Sequence, residues 1–152
     1  MKHLLLVEDQ EVYARPFGEA LREYAPKVGW QHCGTIDNVE DAVKHIVAHR
    51  DVVRGVIVDM RIHGWHDDFR PIDLKSEHVG GIQLINRVQQ QAITEVRFVI
   101  ITAFLAPGDP VKRAVDTACS AHPSIVGVMS KSIDPEKDML QALYYLNHGS
   151  KS

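Results

Sequence analysis

The feature that most constrains this chain is a rhythm in which short, nearly continuous apolar runs are separated by longer amphipathic segments along its whole length. Leu4–Val7, Trp30–Ile36, Val56–Val58, Phe98–Ile101 and Ile125–Met129 are the candidate strands. The first, third and fourth runs do not alternate polar with apolar residues, as expected of strands covered on both faces of a parallel sheet. Between the runs, apolar residues recur at helical spacing. Val39, Ala42, Val43, Ile46 and Val47 form one stripe, and Val111, Ala114, Val115, Ala118 and Cys119 form another. Asp109-Pro110 and Asp134-Pro135 each place a capping carboxylate before a proline at the first helical position. The last helix is expected to run through Met139, Leu140, Leu143 and Leu146 and to stop near Gly149. Pro16 either kinks the first helix or leaves it to begin near Arg15. Five such units predict an α/β fold, a doubly wound five-stranded parallel sheet with helices on both faces.

Bulk properties narrow the partners. A length of 152 residues with 45% hydrophobic content suits a single domain over 1–152, and the few residues after the last helix leave no room for an output domain. The formal net charge of -3 offers no basic excess for a phosphate backbone, so direct nucleic-acid binding is not expected. Leu4–Val7 is too short for a signal-peptide core. No stretch approaches the roughly 20 apolar residues of a bilayer span, so membrane insertion is not expected either. Cys33 and Cys119 lie on apolar faces outside any CxxC pair and read as small core residues in a reducing, cytoplasmic compartment. Trp30 and Tyr24 read as packing residues, as does one of Tyr144 and Tyr145 on the last helix.

In open parallel sheets, ligands bind beyond the carboxyl ends of the strands, near the point where strand order reverses. The residues expected there are Glu8 and Asp9 after strand 1, Asp59 after strand 3, Thr102 after strand 4, and Ser130 and Lys131 after strand 5. Strand 2 contributes no such group, which fits an edge strand in the order 2-1-3-4-5. Three carboxylates held close together repel one another unless a cation joins them, and hard oxygen ligands suit Mg²⁺. Asp59 is central and is the best nucleophile for a covalent acyl phosphate. Lys131 would supply charge and Thr102 a hydrogen bond to the transferred oxygens. Any one of these residues alone reads as an ordinary cap; the ordered set does not.

Leu5-Leu6-Val7-Glu8-Asp9, Val56-Ile57-Val58-Asp59-Met60, Ile101-Thr102-Ala103 and Lys131 together resemble the ordered blocks of bacterial response-regulator receiver domains, over nearly the whole chain. The resemblance implies a flavodoxin-like sheet and a stand-alone phosphoacceptor of a two-component phosphorelay. In it Asp9 holds Mg²⁺ directly, Glu8 holds it through water, and Asp59 is both phosphoacceptor and metal ligand. The backbone carbonyl of Arg61 is implied as a further ligand. Thr102 would be the switch hydroxyl, Ala103 the small residue that keeps the site accessible, and Lys131 the conserved lysine. The implied partners are a sensor histidine kinase or histidine phosphotransfer protein, an unknown downstream protein, and a second copy in a homodimer. Its only catalysis would be self-phosphorylation and self-dephosphorylation.

Three departures qualify the resemblance. Receivers usually follow the lysine with a proline, often through a cis peptide; Ser132 stands here, and a trans bond is expected. The position of the switching aromatic is Val128, which cannot report phosphorylation by burying a ring. The segment at about 60–78 is long for a loop, and Gly80-Gly81 is expected to open the third helix. Within that segment Trp65 and Phe69 are expected to pack a solvated loop, lying as a lid, a kinase-specificity surface or a dimer contact. His63, His66 and His78 with Asp67 or Asp68 are a weaker option for a transition metal. Two rival functions follow: a degenerate receiver binding proteins without phosphorylation, and a Mg²⁺-dependent phosphatase. The second rival needs an Asp where Arg61 stands.

Overall fold

The computed structural model describes residues 1–62, 76–103, 108 and 110–149, the side chains of 76–79 apart. Strands β1 (Lys2–Val7), β2 (Trp30–Ile36), β3 (Val53–Asp59), β4 (Arg97–Thr102) and β5 (Ile125–Ser130) alternate with helices α1 (Glu11–Tyr24), α2 (Val39–Ala48), α3 (Ser76–Gln90), α4 (Pro110–Ala121) and α5 (Pro135–His148). The strands form one parallel sheet in the order β2-β1-β3-β4-β5, as the apolar rhythm predicts. Strand β2 coincides with its apolar run, whereas β1, β3, β4 and β5 extend one to four residues beyond theirs, because pairing with neighbours continues past the residues that need burial.

Successive strand residues face opposite sides of the sheet. Leu5, Val7, Val56, Val58 and Ile100 pack with α2, α3 and α4, whereas Leu4, Leu6, Ile57, Val99 and Ile101 pack with α1 and α5. Both faces of β1, β3 and β4 are therefore dry, which is why those runs do not alternate. The stripe on α2 is buried at Val39, Ala42, Val43 and Ile46, and the stripe on α4 at Val111, Val115 and Ala118. Helix α5 runs through all four expected residues, and its buried face is Met139, Ala142, Leu143 and Leu146, with Leu140 exposed. Trp30 is fully buried and donates from Nε1 to Asn147 Oδ1 at 2.9 Å. Tyr145 is the core member of its pair and Tyr144 the exposed one. Cys33 and Cys119 are half-buried against the α2–α3–α4 side.

At the helix starts, one of two alternatives drops out and one expectation changes. Helix α1 begins at Glu11 and carries Pro16 within it, so it does not start near Arg15. Helix α3 begins at Ser76, so the long connection ends before residue 78 and Gly80-Gly81 lies inside the helix rather than opening it. These glycines serve close approach. A Cβ on Gly80 would stand 1.9 Å from the Ile62 carbonyl oxygen, and one on Gly81 2.9 Å from the Asp59 carbonyl oxygen. Helix α3 thus lies directly on the chain leaving β3. The proposed contents of the long connection, His63, Trp65, His66, Asp67, Asp68 and Phe69, lie outside the described residues, as does the side chain of His78. No helix among the described residues is long and apolar enough to cross a membrane.

Candidate functional site

Because all strands are parallel, their carboxyl ends meet along one edge of the sheet. Asp59 is the last residue of β3 and Thr102 the last of β4, while Glu8 and Asp9 follow β1 and Lys131 follows β5. Glu8, Asp9 and Asp59 each bring a carboxylate oxygen within 4.8 Å of the others. The Lys131 ammonium stands 2.8 Å from Asp59 Oδ2 and 3.0 Å from Glu8 Oε2, and these three side chains are at most 4% exposed. The backbone holds the constellation in place. The Arg61 N–H donates to Asp59 Oδ1 at 3.0 Å, so both Asp59 oxygens are engaged. The Gln10 N–H donates to Glu8 Oε1 at 3.1 Å, and the Lys131 N–H donates to the Thr102 carbonyl at 2.6 Å. Thr102 is buried, Ala103 is exposed, and Arg61 is exposed in the turn leaving β3. Val128 is half-buried against the α2–α3–α4 side, opposite Ile100 on β4.

The electrostatics follow from that crowding. Burial, then the neighbouring Asp59 charge, raises the Glu8 carboxyl from 4.5 to about 7, with Lys131 partly offsetting both. Burial works to lower the Lys131 ammonium, but its hydrogen bond to Asp59 and the charges of Asp59 and Glu8 raise it overall. One ammonium among three carboxylates leaves the cluster net negative, and its donors are all hard oxygens. That donor set fits Mg²⁺.

A pH dependence follows. Between 4.5 and about 7 the folded chain keeps a proton on Glu8 that the unfolded chain has released. Stability without divalent cations is therefore expected to fall as pH rises through that window, on the order of 3 kcal/mol in all. Mg²⁺ should raise the melting temperature more at about pH 7.5 than at about pH 5.5, because it binds the carboxylate form. Thermal melts of wild type and Glu8→Gln check this: the variant should lose the pH slope, and an unchanged slope would contradict it.

Sequence reasoning missed how Lys131 is braced. The peptide to Ser132 is trans, as expected. What replaces the usual proline is a polar clasp. The Ser132 N–H and Oγ donate to the two oxygens of buried Asp138 at 2.9 and 2.8 Å, and the Asp134 N–H donates to Ser132 Oγ at 3.0 Å. Asp134 itself caps α5 by accepting from the Lys137 N–H. The signal lay in Ser132, Asp134 and Asp138 at turn-and-first-turn spacing around Pro135, a set that pins a helix start. Ser132→Pro is expected to cost about 2–3 kcal/mol even though proline is the usual residue there, since it deletes both donors to a buried carboxylate. Chemical denaturation checks this, and a stabilised variant would contradict it.

A second unforeseen neighbour is Tyr13 on the first turns of α1, whose ring centroid lies 3.8 Å from Lys131 Nζ. Its signal was spacing alone, one helical turn beyond Asp9.

No family model matches the chain, and no curated protein matches it. Solved structures do. A DNA-binding response regulator of the LuxR family from Staphylococcus aureus superposes with a TM-score of 0.66 at 16% identity, over 97% of this chain and 100% of that one. The signal receiver domain of the response regulator NarL from Mycobacterium tuberculosis gives 0.63 at 17% identity, over 94% and 96%. The signal receiver domain of a modulated diguanylate cyclase from Desulfovibrio desulfuricans G20 gives 0.62 at 18%, over 97% of each chain. At such identities the likeness is one of fold, and it agrees with the observed strand order and with the acidic cluster at the sheet's carboxyl edge: the chain has the fold of response-regulator receiver domains.

Proposed function

We propose that the chain is the phosphoacceptor of a two-component phosphorelay, taking a phosphoryl group from a phosphohistidine onto Asp59. The observation that carries this reading is the buried contact of Asp59 with Lys131 beside Glu8 and Asp9. A merely structural acid would not need a lysine and two further carboxylates at the sheet's ligand-binding edge. Glu8, Asp9, Asp59 and the Arg61 carbonyl are the ligands proposed for Mg²⁺, which when bound neutralises charge on the phosphoryl oxygens. A carboxylate oxygen of Asp59 forms the new P–O bond as the P–N bond of the donor breaks, and the leaving imidazole takes up a proton. Lys131 and Thr102 then meet the transferred oxygens, and Ala103 leaves their approach uncrowded. The reading favours a phosphoacceptor over a passive binding module because Lys131 engages both Asp59 and Glu8, and the Asp9 carboxylate lies beside them. It favours it over a phosphatase because exposed Arg61 occupies the position where such an enzyme needs a second acid.

Val128 cannot swing a ring inward, so the consequence of phosphorylation is proposed to pass through the segments that follow Asp59 and Thr102 to a downstream protein. The partners proposed are a sensor histidine kinase or histidine phosphotransfer protein, in a cytoplasmic setting. Incubation with a small acyl-phosphate donor and Mg²⁺, followed by intact mass measurement, tests the reading. Wild type should gain one phosphoryl group and Asp59→Asn none. Equal behaviour of the two proteins would reject it.

A further inference from the structure

We propose that Tyr13 is a positioning residue that holds the Lys131 ammonium in the phosphoryl site through its ring face, a role that rests on the phosphoacceptor reading. An ammonium has three N–H donors. Two directions are taken by Asp59 Oδ2 at 2.8 Å and Glu8 Oε2 at 3.0 Å, and the Tyr13 ring covers the ammonium with its centroid at 3.8 Å. That geometry is a desolvated cation–π contact. Tyr13 is itself half-buried, and its ring lies against Phe17 at 5.8 Å between centroids, with Phe17 fully buried in the α1–α5 side of the core. The ring is thus fixed by packing and does not rely on its hydroxyl.

The chemistry makes such a holder useful. The two oxygens that hold Lys131 belong to groups proposed to bind a cation and to accept the phosphoryl group. When Asp59 becomes an acyl phosphate, its carboxylate charge moves out to the phosphoryl oxygens, and Lys131 must transfer its donation to them. A third acid in place of Tyr13 would keep the lysine charged but would add repulsion to a cluster already net negative. An aliphatic side chain would exclude water without attracting the ammonium. The face of an aromatic ring attracts the cation and adds no net charge, so Lys131 stays aimed at the site while its carboxylate partners change.

Tyr13→Phe keeps the face and should phosphorylate like wild type. Tyr13→Leu should lower the maximal rate of phosphorylation by a small acyl-phosphate donor about three- to thirtyfold, with little change in the donor concentration giving half the maximal rate. A merely structural role would appear as lost stability and would not produce that split. A second measurement needs no phosphorylation. In NMR spectra of the resting protein, the ε-CH₂ protons of Lys131, identified by their loss in Lys131→Arg, should be shifted upfield by the ring and return to ordinary positions in Tyr13→Leu. Ordinary shifts in wild type, or unchanged kinetics in a folded Tyr13→Leu, would overturn the proposal. A wild type that takes up no phosphoryl group would reject the phosphoacceptor reading, while the Lys131 shift in the same sample would still decide whether Tyr13 holds the lysine.

Discussion

Lys131→Ala is expected to lower phosphoryl uptake at Asp59 by roughly a hundred- to a thousandfold, the usual loss when a preorganised donor to developing charge is removed. The lysine is well placed for this work. Its side chain is 4% exposed, and it already contacts the proposed nucleophile. Arginine should not restore the rate, because a planar guanidinium cannot reproduce a point charge seated between two carboxylates and a ring. The same substitution should reveal what the lysine does for the fold. Without it, Glu8 and Asp59 are buried acids with no cation, and breaking a buried pair costs about 3–5 kcal/mol. Part of that loss is relieved when Glu8, whose carboxyl is raised to about 7, takes a proton. Destabilisation of Lys131→Ala should therefore be larger above neutral pH than below it, and Mg²⁺ should recover much of it. Denaturation at two pH values, with and without Mg²⁺, checks the stability half, and donor-driven phosphorylation checks the other.

Gly80→Ala is the substitution expected to damage the fold most for its size. Alanine is the better helix former by about 1 kcal/mol, so propensity alone would make the variant more stable. Packing reverses the sign. The new Cβ would lie 1.9 Å from the Ile62 carbonyl oxygen and 2.8 Å from its carbonyl carbon, and backbone cannot rotate away as a flexible side chain would. Helix α3 would have to lift from the chain that leaves β3, beside Asp59. An overpacking cost at the upper end of the usual range, about 3 kcal/mol, less the propensity gain of about 1 kcal/mol, leaves an expected net loss of about 2 kcal/mol. Gly18→Ala in α1 is the internal comparison. Its Cβ would meet nothing closer than 3.7 Å, so the same exchange should stabilise by about 0.5–1 kcal/mol. Opposite signs in chemical denaturation would support the packing account; matching signs would contradict it.

These two cases show which parts of the molecule were legible in the sequence. The sheet was, because Leu4–Val7 and Val56–Val58 are apolar without alternation, a pattern that only burial on both faces explains. The edge of the sheet where Asp59 and Lys131 meet was legible too, since parallel strands put every carboxyl end on one side. Contacts made by the backbone of one element on the next were not. Gly80-Gly81 looks like a helix start by residue type, whereas it is a mid-helix contact surface set by where α3 lands on Ile62 and Asp59. Ser132 looked like the loss of a proline; Asp138, one turn into α5, makes it a different solution to the same turn. Tyr13 carried no motif at all. Its meaning depends on α1 returning its first turns over the site, a tertiary fact that spacing from Asp9 hints at but does not establish.

The most direct test of the central claim is to count and locate the phosphoryl groups acquired from a small acyl-phosphate donor, with Mg²⁺ present or chelated. One hydroxylamine-labile phosphoryl group per chain is expected, on the peptide containing Asp59, formed with Mg²⁺ and absent from Asp59→Asn. No incorporation, incorporation that ignores Mg²⁺, or a hydroxylamine-stable phosphate on another residue would contradict the account.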